Sequence, residues 1–195
     1  MFVPLKLLIL DVDGTLVKPD IDWAYARRRL KELGINADGI PVAEAFARLA
    51  SHNSELARRL ESEVRRMELE SARKVKRDPE LRSLIAELRK SGCRVVIVTL
   101  RSRDTAVAVL KALGIEDLID ALITREDSYD RRTQLKIAIS MFGVRPSETV
   151  FVGDTHWDVE AGEDLGIKVY VVDSRSDPVS NVPRMVKEIL KRLTT

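Results

Sequence analysis

An α/β protein built on a doubly wound parallel sheet, with a small helical insertion after the first strand, is the fold class that this sequence predicts. Three observations predict it. Five short apolar runs are nearly continuous rather than alternating, as in strands covered on both faces. Helical patterning separates most of these runs, which makes the strands parallel. The interval from residue 19 to residue 90 carries amphipathic helical patterning and no convincing strand.

Taken in order, the first strand is expected at residues 5–10, ending on Asp11. The insertion then reads as helices at residues 22–33, 42–50, 54–76 and 79–90, the last leading back into the sheet. Asp78-Pro79 opens that last helix, with Asp as the cap and Pro in the first turn. The remaining strands are expected at residues 94–98, 118–123, 149–152 and 168–172. Helices are expected at residues 104–113, 133–142, 159–165 and 183–193. Gly114-Ile115, Gly143-Val144 and Gly166-Ile167 each follow one of these helices, where a C-terminal cap should lead to the next strand. Two domains follow: a core of residues 1–18 and 91–195, and a helical cap of residues 19–90.

Composition bounds the function. The 195 residues suffice for one sizeable domain or a core with a small insertion. With 45% hydrophobic and 33% charged residues, an apolar core lies beneath a densely charged surface. The net charge of +2 gives no global electrostatic case for nucleic acid or an anionic membrane, so anion recognition must be local. The stretch "ELARRLESEVRRMELESARKVK" interleaves acid and base at helical spacing, which reads as a solvated helix face rather than a basic one. One cysteine, Cys93, excludes an internal disulfide and suits a reducing compartment. With no apolar segment of membrane-spanning length, the expected location is cytoplasmic, and the expected assembly is a monomer or homodimer.

In a parallel sheet, functional groups collect at the carboxyl ends of the strands. Asp11, Thr99 and Gly153-Asp154 all stand at such ends, and Asp158 follows Asp154 by one helical turn. Magnesium takes oxygen ligands and keeps several waters, so two or three carboxylates beside a substrate phosphate suffice. Asp11 and Asp154 are the natural ligands. A carboxylate can also attack phosphorus, splitting one displacement into two, while a second nearby carboxyl group carries the proton. Asp13 is within reach for that role, because alternate residues of an extended segment share a face. Gly14 lets the backbone turn tightly toward the phosphate, and the Thr99 hydroxyl can donate to it.

"DVDGTLV", "VVIVT" ending at Thr99, and "VFVGDTHWDVEAGEDLGIKVYVV" resemble, in that order, the motifs of the haloacid dehalogenase superfamily of phosphotransferases. The resemblance is to its phosphatase branch, phosphoglycolate phosphatase-like, with a helical cap after the first motif. It implies a Rossmann-like core, a magnesium cofactor and a small phosphorylated metabolite as substrate. Asp11 would be the nucleophile, Asp13 the general acid/base and, through its backbone carbonyl, a metal contact, with Asp154 and Asp158 supporting magnesium. It also implies that residues 19–90 form a mobile lid that reads the leaving group. A phosphomutase or another phosphotransferase of the superfamily, and a non-catalytic phosphate-sensing module, are the alternative functions.

The superfamily's third motif supplies a basic side chain, usually Lys before Pro, and this sequence has no Lys-Pro between Thr99 and Gly153, where that motif would fall. Arg131, Arg132 and Lys136 in "YDRRTQLK" are the candidates, and counting forward from "LITRED" favours Arg132. In "ASHNSEL", His52 and Asn53 either reach into the site to bind substrate or cap a helix. Trp23 and Arg27 to Arg29 lie where the cap starts and read chiefly as packing and solvated arginines. His156 and Trp157 occupy variable positions of the last acidic motif, where His156 either touches substrate or faces solvent.

Overall fold

Five strands, β1 (Leu7–Leu10), β2 (Arg94–Val98), β3 (Ala121–Ile123), β4 (Thr149–Gly153) and β5 (Lys168–Val171), form one parallel sheet in the order β3-β2-β1-β4-β5. The computed structural model describes residues 5–18, 20–40, 42–172 and 178–193. Its helices are α1 (Trp23–Glu32), α2 (Val42–His52), α3 (Ser54–Ala72), α4 (Pro79–Lys90), α5 (Arg103–Leu113), α6 (Arg131–Phe142), α7 (His156–Glu163) and α8 (Pro178–Leu193). Every expected strand and helix is present. The boundaries differ most at α8, which starts five residues earlier than expected, and at α3, which ends four residues earlier; α6 and α7 start two and three residues earlier because Asp130 and Thr155 cap them. Residue 19, where the insertion was expected to begin, lies outside the described residues.

The continuous apolar runs are explained by two half-cores. Leu8 and Leu10 of β1, with Val95 and Ile97 of β2, join residues of α4, α5 and α8 on one face of the sheet. Leu7 and Ile9, with Val96 and Val98, join Leu135 and Ala138 of α6 and Ala161 of α7 on the other. A strand buried on both faces has no polar alternation to show.

A third cluster holds Ala26 and Leu30 of α1, Phe46 and Leu49 of α2, and Leu60 and Val64 of α3. The helices between β1 and β2 therefore divide by packing. α1 to α3 bury their apolar faces mainly on one another, whereas α4 buries Leu81, Leu84, Ile85 and Leu88 on the sheet. By this criterion α4 goes with the sheet and the helical unit ends before it.

One polar contact closes the base of the sheet. The carboxylate of Glu148, just before β4, accepts from the backbone N–H of Arg145 (3.0 Å) and from its guanidinium (3.0 Å), and pairs with Lys6 beside β1 (2.9 Å). The Arg145 bonds, followed by Lys6, lower the Glu148 pKa from 4.5 to about 2. A depressed carboxylate pKa stabilises the fold fully above the unfolded value, and that contribution is lost as pH falls through the folded one. Glu148→Gln is therefore expected to lower stability at neutral pH and to flatten the acid-induced loss between pH 4.5 and about 2, as read by denaturant midpoints across that range. An unchanged pH profile would contradict this.

Candidate active site

The chain order reverses at β1, which pairs with β2 on one side and β4 on the other, so the crevice at the carboxyl ends of β1 and β4 is the switch point of the sheet. Asp11 follows β1, buried at 3% exposure, with its backbone N–H donating to the Val152 carbonyl oxygen (3.0 Å). The chain then folds back on itself. Leu16 N–H reaches the Val12 carbonyl (2.9 Å) and Gly14 N–H reaches that of Val17 (2.8 Å). Gly14 sits at φ +80°, and a Cβ there would collide with the Asp154 carboxylate, so this position needs glycine both for its backbone angle and for the close approach.

Asp154 follows β4, and Asp158 lies in the first turn of α7. Asp158 Oδ2 accepts from the backbone N–H of Thr155 (3.1 Å) and from the Thr155 hydroxyl (2.7 Å), which in turn accepts from the Asp158 N–H (3.2 Å). This reciprocal cap satisfies the start of the helix. It folds Asp158 beneath Gly153, where a Cβ would stand 2.8 Å from the Asp158 side chain.

Arg131 supplies the positive charge. From the first position of α6 its guanidinium reaches Asp11 Oδ1 (2.8 Å), Asp158 Oδ1 (2.8 Å) and the Val98 carbonyl oxygen (3.0 Å). Gln134, one turn on, donates to the carbonyl oxygens of Thr99 (2.9 Å) and Ser128 (2.9 Å), which ties this helix to the end of β2. Thr99 is buried, lines the cavity, and accepts from the backbone N–H of Arg101 (3.2 Å). Asp11, Asp13, Gly14, Thr99, Arg131, Asp154 and Asp158 are thus brought together.

Three sequence candidates are not brought there. Arg132, favoured from the sequence, is half exposed and pairs with Asp164 on the far side of α6. Lys136 shares that outward side and is exposed. Both follow from helical geometry: with α6 starting at Arg131, the inward stripe is Arg131, Gln134, Leu135 and Ala138, and residues 132 and 136 face away. His52 is exposed near the end of α2, with Nδ1 against the Arg48 carbonyl oxygen (2.8 Å), and does not line the cavity. Its neighbour Asn53 caps α3, accepting from Leu56 N–H (3.0 Å). His156 is exposed and stacks on Trp157, which does line the cavity.

Two arginines were not anticipated. Arg101, fully buried, grips the Asp13 carboxylate through Nε (2.8 Å) and Nη2 (2.7 Å), while Nη1 reaches the Glu68 carbonyl oxygen of α3 (3.1 Å). Arg125 pairs with the fully buried Glu68 carboxylate (2.6 Å), which also accepts from the hydroxyls of Thr105 (2.8 Å) and Ser102 (3.2 Å). Nothing near Arg101 or Arg125 in sequence marks these contacts, which span tens of residues. Removing one member of a buried ion pair leaves the other uncompensated, at a cost of about 3–5 kcal/mol. Glu68→Gln is expected to lose stability on that scale in urea. The double substitution Glu68→Leu with Arg125→Met should recover most of it, and additive losses in the double variant would refute the pairing.

The crevice gathers the carboxylates of Asp11, Asp13, Asp154 and Asp158. Burial pushes the Asp11 pKa well above the usual carboxylate range. Arg131 opposes this, and the charges of Asp158, Asp13 and Asp154 reinforce it. Burial, then Asp158 and Asp13, raises Asp154 to about 6. No group of three or more His, Cys, Asp or Glu side chains among the described residues already converges as a metal site. The donors that suit a magnesium ion are instead the oxygens of Asp11 and Asp154, with the Asp13 carbonyl and water. Asp158 braces its neighbours: Oδ1 meets the Arg131 guanidinium (2.8 Å) and Oδ2 accepts from the backbone N–H of Asp154 (3.3 Å).

A Rossmann-like α/β core with an Asp-Val-Asp-Gly-Thr turn after its central strand, near Thr99, Arg131 and Asp154, defines the class: a doubly wound fold with a carboxylate-rich site at the sheet's switch point. A model of haloacid dehalogenase-like hydrolases matches residues 5–166, and the chain belongs to that family. Among curated relatives, the pyrophosphatase PpaX of Halalkalibacterium halodurans is 24% identical over 182 residues, covering 86% of this chain and 83% of that protein. The PpaX of Bacillus velezensis is 38% identical over 85 residues, a match that spans only 42% of this chain and 39% of that protein. Among solved structures, a putative phosphoglycolate phosphatase from Lactobacillus plantarum superposes with a TM-score of 0.67 at 19% identity, covering 95% of this chain and 99% of that one. At that identity the likeness shows the fold. No helix of the described residues is long and apolar enough to cross a membrane.

Proposed function

We propose that this chain is a magnesium-dependent phosphatase that hydrolyses a small phosphorylated metabolite through a phosphoryl group carried on Asp11. The observation that supports it best is the buried Asp11 carboxylate, paired with the Arg131 guanidinium (2.8 Å) and lining a cavity of about 350 Å3. Asp11 attacks phosphorus; the Thr99 hydroxyl and the Arg131 guanidinium hold phosphoryl oxygens in place. Asp13, held as a carboxylate by Arg101, takes a proton from the water that frees Asp11; for the first half-step it would leave that grip and carry the proton gained in the preceding turnover to the leaving oxygen. Asp11, Asp154 and the Asp13 carbonyl would hold magnesium, whose charge lets a carboxylate and a phosphate approach each other. The helices α1 to α3 form the cap over the crevice, and the sheet with α4 to α8 forms the catalytic core. Family membership and the PpaX relatives support the reaction class.

The test is release of inorganic phosphate from a panel of phosphomonoesters by the purified chain with magnesium. Turnover that disappears on chelation and returns with added magnesium is the expected result. No phosphate release from any ester would sink the reading.

A further inference from the structure

Besides the carboxylates, the cavity lining is largely apolar and aromatic. Trp23 comes from α1, Val42 and Phe46 from α2, Tyr129 from the loop before α6, and Trp157 from α7. The basic side chains among the described residues lining the cavity are Arg27, Arg125 and Arg131, and each is already engaged. Arg27 donates to the carbonyl oxygens of Ala37 and Ile40 within the cap. Arg125 is held by Glu68 (2.6 Å) and the Leu100 carbonyl oxygen (3.3 Å). Arg131 stands with Asp11 and Asp158 at the reacting end, where the transferred phosphoryl group takes it up. The Tyr129 hydroxyl donates to Glu61, so the phenol presents its ring.

Resting on the phosphatase reading, we infer that the substrate is a phosphomonoester whose leaving group is uncharged, apolar and about the size of a ring. A second anion, as in pyrophosphate, 2-phosphoglycolate or a bisphosphate, would be desolvated against aromatic rings unless it drew an arginine from a partner it already has. An apolar group there gains the burial of its own surface. The volume suits it: a cavity of about 150 Å3 holds benzene, and about 350 Å3 leaves room for a phosphoryl group besides.

The experiment compares kcat/KM for benzyl phosphate, 2-phosphoglycolate and pyrophosphate, each with saturating magnesium. Benzyl phosphate and 2-phosphoglycolate both release an alcohol, so intrinsic leaving-group reactivity does not dominate that comparison. Benzyl phosphate is expected to be preferred at least tenfold over either anionic substrate. Val42→Lys, a half-buried position at the start of α2, places a cation in that lining and is expected to lower the preference for benzyl phosphate over pyrophosphate at least tenfold. Turnover of the anionic substrates equal to or faster than that of benzyl phosphate overturns the inference and leaves the phosphatase reading standing. A preference unchanged in Val42→Lys also overturns it. Hydrolysis of none of the three, or of any other phosphomonoester, takes down both.

Discussion

Asp11→Asn is expected to lower phosphate release by about 10⁴-fold or more, the scale on which losing a covalent nucleophile acts, and at the same time to make the metal-free protein more stable. The second half follows from the site's charges. Asp11 is buried among Asp13, Asp154 and Asp158, and its pKa is raised well above 3.8 despite Arg131. For a carboxyl group with a raised folded pKa, the sign runs against stability: the unfolded chain loses its proton first, and the native state weakens as pH climbs through the folded value. Asparagine keeps an acceptor for Arg131 and removes the charge. With chelator at neutral pH, a gain of about 1 kcal/mol would appear as a rise of roughly 2–4 °C in the melting midpoint. Activity within tenfold of the parent would sink the nucleophile assignment, and a lower midpoint would sink the electrostatic account.

Arg131→Gln is expected to cost about 10²–10³-fold in kcat/KM, the usual loss when one preorganised donor to a reacting group is removed. Asp11 and Asp158 would also lose their shared cation, so urea unfolding without metal should fall by about 3 kcal/mol. Arg131→Lys should recover only part of the activity, because an ammonium cannot span Asp11, Asp158 and the Val98 carbonyl oxygen as the planar guanidinium does. Arg132→Gln should stay within about twofold of the parent, since that side chain stands outside with Asp164. A larger loss at Arg132 than at Arg131 would reverse the assignment.

The difference between those two arginines shows where sequence reasoning reaches its limit. Asp11, Asp13 and Asp154 stand out because the residues that define them are adjacent and follow apolar strand runs. Choosing between Arg131 and Arg132 needed the phase of a helix, and phase depends on where the helix starts. Reading Asp130 as the cap, with Leu135 and Ala138 as the buried stripe, puts Arg131 on the inward face; the first periodic residue alone did not reveal this. The division of the inserted helices was similarly hidden, because α3 and α4 are both amphipathic and only the packing shows which faces the sheet. Arg101 was beyond reach for another reason: its grip on Asp13 joins positions 88 residues apart, and no local pattern records such a contact.

That grip ties together two parts of the molecule with separate tasks. The guanidinium that aims Asp13 also holds the Glu68 carbonyl oxygen of α3, and Glu68 is fixed in turn to Arg125, Ser102 and Thr105. A tilt of α3 away from the sheet would therefore strip a partner from the same side chain that steers the proposed proton carrier. Because α1 and α2 share one apolar cluster with α3, the seat of all three helices and the orientation of Asp13 are linked through a single guanidinium.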